Sequence, residues 1–128
     1  MLDEAIALVR TFQHCAGQPT ADKPVMADAE RVKTRIKWIT EELEEYREAE
    51  TIYEQADALI DTLYYLLGAF VDSGIVADRL FEIVHQSNMR KISPDVTIVR
   101  DEDSKIEKPA NWTHPDLEVK AEIDRQMY

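Results

Sequence analysis

The chain has 128 residues, of which 45% are hydrophobic and only three are Gly; this suits one compact helix-rich domain and is too short for two well-cored ones. Acidic residues outnumber basic ones by 26 to 15, and the net charge of −11 argues against nucleic acid or an anionic membrane as a partner. The same charge repels a free nucleotide, so a phosphate-bearing ligand would need metal cations between the two negative surfaces.

In chain order, Leu2, Ile6, Val9 and Phe12 predict a short first helix ending near "AGQP", followed by a linker around "TADKP". A second helix is expected from Asp28 to about Glu50 on the spacing of Val32, Ile36, Ile39, Leu43 and Tyr46. A third begins near Thr51 and runs to about Asp72, with Gly74 as its stop. The fourth, about Val76 to Lys91, repeats through Leu80, Ile83, Val84 and Ser87, and "SP" at 93 and 94 closes it. All five prolines fall outside these stretches. "DVTIVRDEDSKIEKP" alternates around a polar tip, as a short hairpin would, and "HPDLEVKAEIDRQMY" reads as a tail helix. The expected fold is all-α: a four-helix bundle in a single domain spanning 1–128, with its helical core at about 1–92 and an extension at about 93–128. At this length a second subunit is expected to complete its outer faces. The single Cys15 permits no intrachain disulfide, and "MLDEAIALVR" lacks a signal peptide's positive start. The longest strongly apolar run, "LYYLLGAFV", has about half the length that spans a bilayer. These features predict a cytoplasmic protein, or one of the host cytoplasm if the genome is viral.

Carboxylates are densest in "EELEEYREAETIYEQADALID". At about 100° per residue, Arg31, Arg35, Trp38, Glu42 and Glu45 line one edge of the second helix, whereas Glu44 and Glu48 point away as solvated charge. On the third helix Ile52, Ala56, Leu59, Leu63, Leu66 and Phe70 form one face; Glu54, Asp57, Asp61, Tyr64 and Gly68 form the other. Past Asp61 that helix is apolar almost all round, so its acids should be partly buried. Buried carboxylates cost several kcal/mol unless they are paired, hydrogen-bonded or bound to metal, and the third helix carries no cation of its own. Two i, i+3 carboxylate pairs on facing helices could hold one or two hard cations such as Mg²⁺ or Mn²⁺. In "HQSNMRK", Asn88 and Lys91 fall beside the fourth helix's stripe and should look into the bundle, where they would suit a polyphosphate; Lys91 and Arg90 would equally complement the helix dipole. His85 falls on the outward side.

"EELEE", "EQADALIDTLYYLLGAFVDSGI" and "VHQSNMRK" together resemble the all-α nucleoside triphosphate pyrophosphohydrolases of the MazG and phosphoribosyl-ATP pyrophosphohydrolase-like group, over about Phe12 to Leu117. The tail "DEDSKIEKPANWTHPDL" is similar to the Asp-Gly-Lys and Lys-Pro ending of one small branch. The resemblance implies Glu42 with Glu45 and Glu54 with Asp57 as ligands of Mg²⁺ or Mn²⁺, two or more ions per site. It implies Asn88 and Lys91 as phosphate contacts, a homodimer or homotetramer, and cleavage of a nucleoside triphosphate to monophosphate and pyrophosphate. Two positions depart from the group's pattern, Ser104 where Gly is usual and Gln13 where His is expected, and both bear on substrate details rather than on the metal motif.

On this reading Glu41 or Asp61 would orient or deprotonate the attacking water. Trp38, Tyr64, Tyr65 and Phe12 are candidate stacking partners for the base, and Arg35, Lys105 and Lys108 are further candidates for phosphate. Two other readings compete. A di-iron carboxylate bundle needs two inward Glu-x-x-His motifs, and the chain offers one, "EIVH", on an outward face. A non-catalytic acidic helical oligomer binding a basic protein would explain the charge but not Asp57 and Asp61 on a mostly apolar helix.

Overall fold

The computed structural model describes residues 1–92, 98–109 and 112–128. Five helices appear there: α1 (Leu2–Cys15), α2 (Ala29–Glu48), α3 (Ile52–Ser73), α4 (Asp78–Met89), extended by a single 3-10 turn at Arg90–Ile92, and α5 (Asp116–Met127). The protein is all-α, as its periodicity predicts.

The helix ends follow from local chemistry. Asp28 caps α2 by accepting from the backbone N–H groups of Glu30 and Arg31 at 2.9 and 3.1 Å. Thr51 caps α3 by accepting from the N–H of Glu54 at 3.2 Å, and its hydroxyl donates back to Glu54 Oε1 at 3.1 Å. Gly74 ends α3 in the left-handed region, at φ 65°. A Cβ at Gly74 would lie 2.3 Å from the carbonyl oxygen of Lys23, so this stop tolerates no side chain.

The chain forms two compact units, Met1–Val76 and Ala77–Tyr128. The division comes before α4, whereas the sequence groups α4 with the first three helices and sets the extension off at about 93. In the first unit α3 packs on both α1 and α2. Its interior contains Ile6, Val9, Ala58, Leu67 and Val71, together with the polar side chains of Gln13, Arg35 and Asp72. In the second unit α4 packs on α5. Glu122 is buried there and is held by Arg125 through both carboxylate oxygens, at 2.9 and 2.7 Å.

Helix α3 turns the less apolar of its two faces inward. Ile52, Leu59, Leu63 and Leu66 are exposed in the single chain, while Ala58, Leu67, Gly68, Val71 and Asp72 are buried. A helical wheel separates two stripes but does not say which one a neighbour covers. The expected hairpin is seen in part: Arg100 bridges Ile106 in antiparallel fashion around a turn closed by Ser104 at φ 62°. Its first residues, 95–97, and the Ser-Pro stop at 93 and 94 lie outside the described residues.

Candidate active site

Helices α2 and α3 are joined by a three-residue connection and run antiparallel, and their side chains meet in a fixed register. Arg31 is paired with Asp72, with Nε 3.1 Å from Oδ1. One turn along, the Arg35 guanidinium lies over Gly68, where a Cβ would come within 2.6 Å of its Nη1. Next, Trp38 stacks on Tyr65, with centroids 5.5 Å apart and planes at 29°. Next again, Glu42 meets the charge of Asp61. Each advance along α2 is matched by an equal retreat along α3, so the seam passes from basic through aromatic to acidic.

At the basic end a closed polar network holds α1, α2 and α3 together. Arg35 donates from Nε and Nη2 to Asp72 at 2.9–3.1 Å, and from Nη2 to Gln13 Oε1 at 3.0 Å. Gln13 Nε2 donates to Asp72 Oδ1 at 3.0 Å and to the Pro19 carbonyl at 2.8 Å. All three side chains are buried, and such charges are tolerable only because they are paired and hydrogen-bonded. Arg35 was expected to reach phosphate, but its guanidinium is committed to Asp72 and Gln13. The sequence marks Gln13 only as a departure from the group's His and gives no sign of its link to Asp72, although Gln13 continues the Ile6, Val9 spacing by one further turn. A polar residue on an apolar stripe is the signal that could have revealed it.

The aromatic middle opens into a cavity of about 260 Å³. Phe12, Trp38, Tyr64 and Tyr65, the four side chains selected from the sequence as base partners, all line it, with Val9, Gln13, Gln18 and Arg35. Phe12 and Tyr64 meet edge to face at 5.9 Å. The guanidinium carbons of Arg31 and Arg35 each lie 5.2 Å from the Trp38 ring centre.

At the acidic end, burial pushes the Glu42 carboxyl up to about 7 from its ordinary 4.5, and a hydrogen bond with Glu45 and the charges of Glu45, Asp61 and Asp57 add to this. Glu42 Oε2 is inaccessible to solvent and, among the described residues, has no hydrogen-bond partner. An orphaned carboxylate oxygen among hard oxygen donors is what a divalent cation would satisfy, so the residue types fit Mg²⁺ or Mn²⁺. Among the described residues no three such side chains converge closely enough to hold one ion. Glu45 and Asp57 are exposed and have room for the rotations that closure would need. Of the expected quartet, Glu42, Glu45 and Asp57 are neighbours. Glu54 is exposed and joined to the Thr51 cap, and the carboxylates that raise Glu42 are Glu45, Asp61 and Asp57. Asp61 takes that place. Glu41 is exposed.

In the second unit Lys91 Nζ donates to Asn88 Oδ1 at 2.9 Å. The ammonium groups of Lys91 and Lys108 lie 5.0 and 5.1 Å from the Trp112 ring centre, and the indole N–H of Trp112 donates to the Ser87 carbonyl at 2.8 Å. Three of the expected phosphate contacts therefore gather around Trp112, a residue to which the sequence reading gave no role. Lys105 stands apart at the hairpin tip, where its N–H donates to Asp101 Oδ1 at 3.0 Å. The one Glu-x-x-His motif is outward: Glu82 and His85 are exposed, and Glu82 pairs with Arg79 at 3.1 Å.

Residues 9–88 match the model of a family described as phosphoribosyl-ATP pyrophosphohydrolase, a span that takes in all of α2 and α3, the second half of α1 and most of α4. No curated protein matches the chain in sequence. In structure the chain is similar to a crystal structure from Exiguobacterium sp. 255-15 of a protein provisionally named an NTP pyrophosphohydrolase. The two are 29% identical, the match covers 93% of each chain, and the TM-score is 0.52.

Proposed function

This chain belongs to the phosphoribosyl-ATP pyrophosphohydrolase family, and from that premise we propose that it is a metal-dependent hydrolase that cleaves a nucleoside triphosphate to the monophosphate and pyrophosphate. The observation that carries this reading is the order of groups along the α2–α3 seam. The aromatic cavity at Trp38 and Tyr65 lies one turn from the carboxylates at Glu42 and Asp61. A nucleotide has the same order, a flat base at one end and a polyphosphate at the other.

Glu42, Glu45 and Asp57 would hold the metal, with Glu54 available if its carboxylate leaves the Thr51 cap. Bound Mg²⁺ or Mn²⁺ would neutralise the phosphates and lower the pKa of water. Asp61, whose charge acts on Glu42, would orient that water and accept its proton. Phe12, Tyr64 and the Trp38–Tyr65 stack would exclude water around the base. In the second unit, Lys91 and Lys108 beside Trp112 would contact an anionic ligand. The exposed apolar side chains Leu59, Leu63 and Leu66 are assigned to contact with a second copy of the chain.

The test is pyrophosphate release from ribo- and deoxynucleoside triphosphates with Mg²⁺ or Mn²⁺, comparing wild type with Glu42→Gln and Asp57→Asn. Matched release of pyrophosphate and monophosphate by wild type, lost in both variants, is expected. Folded wild type inert on every triphosphate would overturn the reading and favour the binding-module alternative.

A further inference from the structure

Besides its aromatic rings, the cavity between the aromatic pairs is lined by three polar side chains, Gln13, Gln18 and Arg35, and they differ in how much hydrogen-bonding capacity they have left. Arg35 is bound to Asp72 and Gln13. Gln13 has both amide hydrogens engaged, on Pro19 and Asp72, and its oxygen accepts from Arg35. Gln18 is different. Its Oε1 accepts one long bond, 3.3 Å, from Arg31 Nη2, and among the described residues no partner is found for its Nε2.

The direction of that amide is also fixed. A guanidinium can only donate, so the end of the Gln18 side chain toward Arg31 must be the oxygen. Arg31 is itself paired with the buried Asp72, and the backbone N–H of Gln18 donates to the Gln13 carbonyl at 2.8 Å. An anchored amide thus borders an aromatic cavity with a free donor and one unused oxygen lone pair. A side-chain amide with both functions available can make a two-point contact with the edge of a base.

Resting on the reading of this cavity as the base pocket, we infer that Gln18 is the specificity-determining residue, the one whose side chain reads the edge of the bound base. The aromatic rings bind any base by its faces and discriminate little between bases. Gln18 supplies the discrimination, through a donor at Nε2 and an acceptor at Oε1. Its preferred base is one that offers both partners at neighbouring atoms when seated between the rings.

The experiment measures kcat/KM for ATP, GTP, CTP, UTP and their deoxy forms with Mg²⁺, in wild type, Gln18→Ala, Gln18→Glu and Tyr64→Ala. Binding of the same eight is followed by Trp fluorescence. Gln18→Ala should shrink the ratio between the best and worst base by about 5- to 100-fold, the range set by one two-point base contact. Gln18→Glu retains an acceptor for Arg31 but loses the donor, and so should change which base ranks first. Tyr64→Ala should raise KM for all eight with their order kept. An unchanged rank order and ratio in both Gln18 variants, with Tyr64→Ala still raising KM throughout, would overturn the role of Gln18 alone. No response to Tyr64→Ala either, or neither turnover nor binding of any of the eight, would overturn the base-pocket reading and this inference with it.

Discussion

Trp38 of α2 lies flat against Tyr65 of α3, 5.5 Å between centroids, and the pair divides the α2–α3 seam into a basic half anchored on Asp72 and an acidic half centred on Glu42. The two halves are stabilised by different means. In the basic half two guanidiniums share the carboxylate of Asp72, whereas the acidic half carries carboxylates facing carboxylates.

That imbalance should appear as a pH dependence in protein treated with a chelator. Unfolded, Glu42 gives up its proton near 4.5; folded, it holds it to about 7. Between these values the folded state binds more protons than the unfolded state, so the contribution of Glu42 to stability falls as pH rises through this window. The melting temperature should therefore drop by a few degrees from pH 5 to 7.5, and Glu42→Gln should flatten the drop. Mg²⁺ or Mn²⁺ should raise the melting temperature most at the upper end. A wild-type slope retained in Glu42→Gln would show that another group is responsible.

Glu122 acts in the opposite direction at lower pH. Hydrogen bonds from Arg125 and Gln126 hold its carboxyl down to about 2, despite its burial. Its contribution is fully present above about 4.5 and is lost as pH falls toward 2. Glu122→Gln should therefore lower stability at pH 6 and leave it nearly unchanged at pH 2.5, in urea titrations at the two pH values.

The buried network predicts an asymmetry between its partners. Asp72→Ala leaves Arg35 and Arg31 facing each other without their common carboxylate, and should cost about 3–5 kcal/mol. Arg35→Met should cost less, because Asp72 retains Arg31 at 3.1 Å and Gln13 at 3.0 Å. Equilibrium urea unfolding of the two variants gives the order, and Arg35→Met as the more damaging change would contradict it.

Gly68 makes room for the same network. A Cβ there would come within 2.6 Å of both Arg35 Nη1 and Gln13 Oε1, so Gly68→Ala should destabilise by about 1–3 kcal/mol despite alanine's better helix propensity. Much of that loss should disappear in a Gln13→Ala background, where one of the two clashing atoms is gone.

At the hairpin tip, Ser104 holds a left-handed conformation that costs a residue with a Cβ roughly 1–2 kcal/mol and costs glycine almost nothing. Ser104→Gly should slow hydrogen exchange at the amides of Ser104 and Lys105, both bonded to Asp101, by about fivefold or more. Exchange that speeds up would mean that the serine side chain stabilises the turn.

Helix number and helix ends were legible in the sequence because each depends on near neighbours: Asp28 and Thr51 cap the helices they precede, and Gly74 stops the one it follows. What was not legible depends on residues far apart in the chain. Asp72 reads as one more acid until Arg35 and Gln13, 37 and 59 positions away, are brought to it. The covered face of α3 was left open for a related reason: hydrophobicity ranks its two stripes, whereas the covered one is the stripe that admits an arginine over a glycine.

The matched register of α2 and α3 also predicts where the chain can change length. Adding or deleting one residue within either helix would rotate everything beyond it by about 100° and set Trp38 or Glu42 against the wrong neighbours. The connection at 49–51 is not part of the register, and extra residues there would leave all four pairings in place at little entropic cost. Length variation among related chains should therefore collect at that connection, and a short tag inserted there should leave the seam intact.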